Sequence, residues 1–234
     1  MSCVGMTPVF MAVRLLLQFA NFQQFHSRSD PNACQRHIKP RNYEVVEQTM
    51  DRIFILDRSG SMESCWDDTI GGFNAFLNEQ KQHGGTMTLI QFDHEYLVSY
   101  EAKPIAEVEP LSRETFKPRG STALFDAIGK AIKTVKTATI PLVIIFTDGH
   151  ENASHEYTKA HIKDLITERT KDGWEFVYLG ANQDAFAVGG ALGIAPGATM
   201  TYEANKTPQA FAALSAAVSC RASGETPTVD LSQH

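Results

Sequence analysis

The sequence predicts an α/β fold: a doubly wound, mostly parallel central sheet with one antiparallel edge strand and helices on both faces. Three observations carry this. RIFILD (Arg52–Asp57) and PLVIIFTD (Pro141–Asp148) are short, unbroken apolar runs. A strand with no polar face is one that is covered on both sides, as in parallel sheets. Segments with helical apolar spacing alternate with these runs, which is the pattern of crossover connections. Finally, TMTLIQFD and EYLVSYEA meet at Asp93 and His94, a connection short enough for a hairpin, and this supplies the antiparallel edge.

The elements follow in order from Met50. After RIFILD, DDTIGGFNAFLNEQKQ sets Ile70, Phe73, Phe76 and Leu77 at helical spacing, and Gly84-Gly85 ends the helix. PIAEVEPLSRETFKPRGS, after the hairpin, is a long irregular connection. A helix from Ala123 aligns Leu124, Ile128, Ile132 and Val135 on one face. PLVIIFTD is the next strand, a helix is expected from about Glu156, and WEFVYLG from Trp174 is a further strand. TPQAFAALSAAVSC closes the domain as a helix with Phe211, Leu214 and Val218 inward. GGALGIAPG (Gly189–Gly197) does not follow a strand directly and lacks the dinucleotide fingerprint, so it reads as a helix end and a loop. The domain is expected over 50–222, with 1–49 as an N-terminal extension and linker and 223–234 as a loose tail.

Composition narrows the function classes. The 234 residues carry a net charge of −6 and are 43% hydrophobic. Residues 1–49 hold five Lys/Arg against three Asp/Glu, so the remainder is the more acidic. No basic stripe marks a nucleic-acid binder. The apolar stretch VFMAVRLLLQFANF is interrupted by Arg14 and is shorter than the ~20 residues of a membrane span. No Lys or Arg precedes Val9, so no secretory leader is expected. Cys3, Cys34, Cys65 and Cys220 are scattered, which reads as free thiols in a reducing compartment, and the expected location is cytoplasmic. Cys34 and His37 form half of a metal motif with no second half.

The chemistry gathers at strand tips. FILDRSGSMES ends an oily strand in Asp57 and then brings Ser59 and Ser61. PRGSTALFD presents Ser121 and Thr122 before a helix, and IIFTDGH ends a second central strand in Asp148. In open α/β sheets, ligands bind beyond the carboxyl ends of the strands, where the winding reverses. If the two apolar strands are neighbours there, Asp57, Ser59, Ser61, Thr122 and Asp148 converge as three hydroxyls and two carboxylates. Hard oxygen donors of this kind suit Mg²⁺, with Mn²⁺ as the second choice. The bland reading is that Asp57, Ser59 and Ser61 only tie the loop and cap the next helix.

Asp57-Arg-Ser-Gly-Ser61, Gly120-Ser-Thr122 and Thr147-Asp-Gly149 resemble, in order and strand context, the metal-ion-dependent adhesion site of von Willebrand factor type A domains. RGSTAL, DAIG, FTDGHENAS and YLGANQDAF are similar to segments of stand-alone bacterial and phage proteins of that family, and the resemblance spans roughly residues 50–220. It implies a Rossmann-like sheet and a divalent cation that grips a carboxylate of a partner protein, in some settings within an ATPase complex. It implies no catalytic residue.

The alternative is a metal-dependent hydrolase with His150 as general base. Against it, no nucleophile–base pair and no carboxylates for a second metal are evident. His150, His155 and His161 are spaced by five and six residues, which splays them by about 140° and 120° on a helix, so they do not form a zinc-protease pair. Asp126 is read either as a support for the threonine loop or as a favourable first-turn carboxylate. Arg58 is expected to point outward, and the sequon at Asn152 is expected to have no role.

Overall fold

A computed structural model describes residues 49–232. The expected extension over 1–49 therefore lies outside the described residues, apart from the last position. Six strands form one sheet in the order β3-β2-β1-β4-β5-β6, with β1 Asp51–Asp57, β2 Thr86–Phe92, β3 Tyr96–Pro104, β4 Pro141–Thr147, β5 Glu175–Ala181 and β6 Thr199–Tyr202. All neighbours are parallel except β2 and β3. Residues Asp51 to Leu56 of β1 pair in register with Pro141 to Phe146 of β4. From β1 the chain winds to β2 and β3, and from β4 it winds the other way to β5 and β6. The winding therefore reverses between β1 and β4, as the two apolar runs foretold.

The helices are α1 Trp66–Gln80, α2 Leu124–Thr134, α3 Lys159–Lys171, α4 Ala185–Ala191 and α5 Thr207–Ala222. Successive side chains of a strand face opposite ways, and β1 shows it. Phe54 and Leu56 pack with α1 and α5, whereas Ile53 and Ile55 pack with α2, α3 and α4. The first face is aromatic: Phe54 meets Phe73 edge-on at 5.2 Å, and Phe146 stacks on Phe211 at 4.4 Å. Such pairs add about 0.5–1.5 kcal/mol each beyond area burial.

Four local expectations are corrected. The third helix starts at Lys159 rather than near Glu156, because the Asp126 carboxylate accepts the N–H groups of His155, Glu156 and Tyr157 at 2.8–2.9 Å. Those amides are held outside the helix, and Thr158 caps it by accepting from His161 N–H. The strand β6 was not foreseen, since four residues carry little periodicity. The tail is not loose over its described part: Val229 and Leu231 are buried against the α1/α5 face, and Leu231 N–H donates to Gly197 O at 2.7 Å. Arg58 does not point outward. It is buried, with its Nε 3.1 Å from Asp93 Oδ2.

Candidate metal centre

The carboxyl ends of β1 and β4 set the site. Asp57 is the last residue of β1 and is wholly buried. Its Oδ1 accepts the Ser59 N–H at 2.6 Å, which turns the chain sharply back over the strand tip. Its Oδ2 accepts from Thr147 Oγ1 at 2.5 Å, so the ends of β1 and β4 are joined through side chains. The 3₁₀ turn Gly60–Cys65 follows and raises Ser61 to the rim. There Ser61 Oγ lies 3.1 Å from Ser59 Oγ and donates to Asp148 Oδ1 at 2.6 Å.

Thr122 reaches the same place from the loop before α2. Its N–H donates to Asn152 Oδ1 at 2.9 Å, and its carbonyl accepts the N–H groups of Asn152 and Ala153. The convergence has a measurable centre. A Cβ placed on Gly149 would sit 2.6 Å from Thr122 Oγ1 and 3.2 Å from both Asp57 Oδ2 and Ser59 Oγ. Three oxygens from two chain segments, the Asp57–Ser59 turn and the Thr122 loop, thus surround one small space that the glycine of a third leaves open. Asp57, Ser59 and Thr122 form its buried floor, while Ser61 is exposed and Asp148 half-buried at its rim.

The electrostatics of the space favour a cation. Burial pushes the Asp57 carboxyl up to about 6, against the hydrogen bonds from Thr147 and Ser59, and the charge of Asp148 pushes the same way. Burial also raises Asp148. Among the described residues neither carboxylate forms an ion pair with Lys or Arg. Two carboxylates crowded in low dielectric without a basic partner are costly when ionised, and a divalent ion relieves both. The donors are all oxygen, and no group of three or more His, Cys, Asp or Glu is placed to hold a metal among the described residues. This set therefore fits Mg²⁺ or Mn²⁺ and relies on neutral hydroxyls for most of its donors.

The loop behind the site is stitched by residues that sequence reasoning passed over. Glu151 accepts the N–H groups of Phe125, Ala153 and Ser154 at 2.8–2.9 Å and the Ser154 hydroxyl at 2.7 Å. Ser154 Oγ accepts the Asp126 N–H at 3.1 Å. The signal was present in Glu151, Asn152 and Ser154, three side-chain acceptors close together inside a connection with no regular structure. Asn152, read only as an idle sequon, is the acceptor for Thr122. Asp126 acts on residues 155–157 rather than on the threonine itself, and those three N–H bonds hold its carboxyl below the usual range, although burial is the largest single influence and opposes them. His150, His155 and His161 are all exposed. The His150 side chain makes no hydrogen bond among the described residues, so nothing orients it as a base.

Residues 52–151 match the family model of the von Willebrand factor type A domain. No curated protein matches the sequence. Among solved structures, the chain is similar to proximal thread matrix protein 1 from the mussel byssus, in a form with a zinc-occupied metal-ion-dependent adhesion site. That match has a TM-score of 0.55 and 13% identity over 74% of this chain, which spans only 48% of the mussel chain. The von Willebrand factor domain of the pilus tip protein Mfa5 from Porphyromonas gingivalis matches with a TM-score of 0.57 and 12% identity, over 73% of this chain and 95% of that one. Manganese-loaded TRAP from Plasmodium vivax matches with a TM-score of 0.51 and 16% identity, over 70% and 72%. At these identities the structures speak to the fold. Sheet order and winding agree with the family model, which matches residues 52–151 of this chain to a von Willebrand factor type A domain.

Proposed function

We propose that this domain is a metal-ion-dependent protein-binding module. Asp57, Ser59, Ser61, Thr122 and Asp148 hold one Mg²⁺, or Mn²⁺ in its place, and an acidic side chain of a partner protein supplies a further ligand. The observation that carries this reading is the space at Gly149, bounded by oxygens of Asp57 and Ser59 from one segment and of Thr122 from another. Bound there, the ion supplies a fixed positive charge with a position left for an anionic oxygen. The chain's own residues orient it. Thr147 and the Ser59 amide fix the Asp57 carboxylate, Asn152 fixes Thr122, and Ser61 lies beside Asp148 at the mouth. The module has no turnover. Metal-loaded relatives of the same fold, with zinc in the mussel protein and manganese in TRAP, support a divalent ion as occupant. Both cysteines in the described region, Cys65 and Cys220, are free, which fits a cytoplasmic setting such as an ATPase complex.

The test is titration calorimetry with Mg²⁺, Mn²⁺ and Zn²⁺, paired with capture of partners by the immobilised protein in Mg²⁺ or in EDTA. Mg²⁺ or Mn²⁺ should bind, and capture should require them. Tight Zn²⁺ binding with none of Mg²⁺ or Mn²⁺, or capture indifferent to EDTA, overturns the reading.

A further inference from the structure

Beside the proposed centre lies a cluster of charges that supplies no donor to it. Asp93 ends the first arm of the hairpin and is wholly buried. Arg119 Nε hydrogen bonds to its Oδ2 at 2.8 Å, and Arg58 Nε lies 3.1 Å from the same oxygen in an ion pair without hydrogen-bond geometry. Its Oδ1 accepts the Glu95 N–H at 2.6 Å and lies 3.4 Å from His94 Nδ1. Glu95 completes the group, paired to Arg119 and 3.8 Å from Arg58. Two acids and two arginines balance in charge.

The two arginines belong to the two loops that must meet. Arg58 directly follows Asp57, and Arg119 lies three residues before Thr122. Around the buried carboxylate the backbones interlock. Arg119 N–H donates to Arg58 O at 2.8 Å, Gly60 N–H to Gly120 O at 3.1 Å, and Ala123 N–H to Asp93 O at 2.8 Å. Gly120 has φ +68, and a Cβ there would lie 2.3 Å from His94 Nδ1, so the loop passes the hairpin tip at closest approach. The segment before Thr122 has no ladder or helix of its own. These bonds hold it from the Asp57 side, as the bonds of Thr122 with Asn152 and Ala153 hold it from the other.

We propose that Asp93 is a positioning residue for the cation site: by holding Arg58 and Arg119 together on one buried carboxylate, it fixes the distance between the Asp57 loop and the Thr122 loop. The consequence for ion affinity rests on the function proposed above. The placement of the loop does not. Removing the negative charge leaves Arg58 buried with only the more distant Glu95, and a buried charge without its partner pulls its segment toward solvent. Arg58 and Arg119 then separate, and the Thr122 hydroxyl leaves its position near Asp57 Oδ2 and Ser59 Oγ.

The test uses the full chain with Asp93→Asn, which keeps shape and the acceptor for Glu95 N–H, and with Arg119→Gln, whose half-exposed side chain leaves less packing to lose. Hydrogen exchange of the metal-free protein reads the loop, and Mg²⁺ calorimetry reads the site. Both variants should speed exchange of the Arg119, Thr122 and Ala123 amides while β4 and β5 stay protected. They should weaken Mg²⁺ by about tenfold or more, the usual effect of losing an orienting group behind metal ligands. The double variant should be little worse than either single one, because both break one linkage. Unchanged exchange in the loop overturns the proposal, as does loss of protection spread evenly over the sheet. A wild type that binds no divalent ion defeats the proposed function instead, and the exchange result still decides the role of Asp93. Mg²⁺ affinity that survives a loosened loop shows that the position of Thr122 does not govern the site, and the positioning role fails.

Discussion

Asp57→Asn tests the electrostatics of the site directly. Burial holds the folded-state carboxyl at about 6, whereas its unperturbed value is 3.8. The folded protein thus binds this proton more tightly than the unfolded chain. The stabilising effect of the proton is complete below about pH 3.8, is lost as pH rises through about 6, and is absent at neutral pH. A gap of about two pH units corresponds to ~3 kcal/mol of strain in the metal-free protein at pH 7.5. Asparagine removes that charge. It keeps an acceptor for the Ser59 N–H, and the Thr147 hydroxyl must turn to accept from the new amide, at about 1 kcal/mol. The variant should therefore be ~2 kcal/mol more stable than the metal-free wild type at pH 7.5, a rise of roughly 4–8 °C in Tm for a domain of this size. Near pH 4 the difference should vanish or reverse. Saturating Mg²⁺ should stabilise the wild type by about 2.7 kcal/mol at a hundredfold excess over Kd and leave the variant unmoved. Thermal melts by circular dichroism at pH 4 and 7.5, in EDTA or Mg²⁺, give all the comparisons. A variant less stable than the metal-free wild type at pH 7.5, or one that keeps the Mg²⁺ shift, refutes the reasoning.

Gly149→Ala places a methyl 2.6 Å from Thr122 Oγ1, so the ion-linked melting shift should disappear while the metal-free protein loses only the ~1–3 kcal/mol typical of overpacking. An alanine variant that binds Mg²⁺ normally would show that this space is not the ion's. Ending the chain at Gly224 removes the buried Val229 and Leu231, each contributing about 1.5–3 kcal/mol, and should lower Tm measurably without changing Mg²⁺ affinity. An unchanged Tm would mean that the tail adds nothing.

What the sequence revealed and what it hid divide along a physical line. RIFILD and PLVIIFTD were legible because burial on both faces keeps Ile53 to Leu56 and Pro141 to Phe146 free of polar residues that would confuse the pattern. The hairpin was legible because its connection is short. Asp57, Ser59 and Asp148 were legible because each sits at the end of such a strand, where topology alone decides what lies nearby. The strand β6 escaped because four residues contain too few alternations to register. The burial of Val229 and Leu231 escaped because two apolar residues among polar ones do not say which surface they return to. Arg58 was misread because an arginine's partner is set by tertiary structure, and Asp93 lies in the connection between β2 and β3. Glu151, Asn152 and Asp126 act by accepting backbone N–H groups of non-helical residues, and no periodicity marks a residue for that.

The donors at the proposed centre come from parts of the chain that are remote from one another. Ser61 and Asp148 are 87 residues apart, and Thr147, which orients Asp57, is 90 residues from it. Contacts of such long range are among the slowest to form, since a large loop must close before they return any energy. A site assembled from them is complete only when the two halves of the sheet have docked. An ion bound there therefore does little for the rate at which the chain folds. It acts on the reverse step, raising the barrier to opening, because interactions made late are the first that unfolding must break. Cation supply would then set how long a folded molecule lasts, more than how quickly one is made.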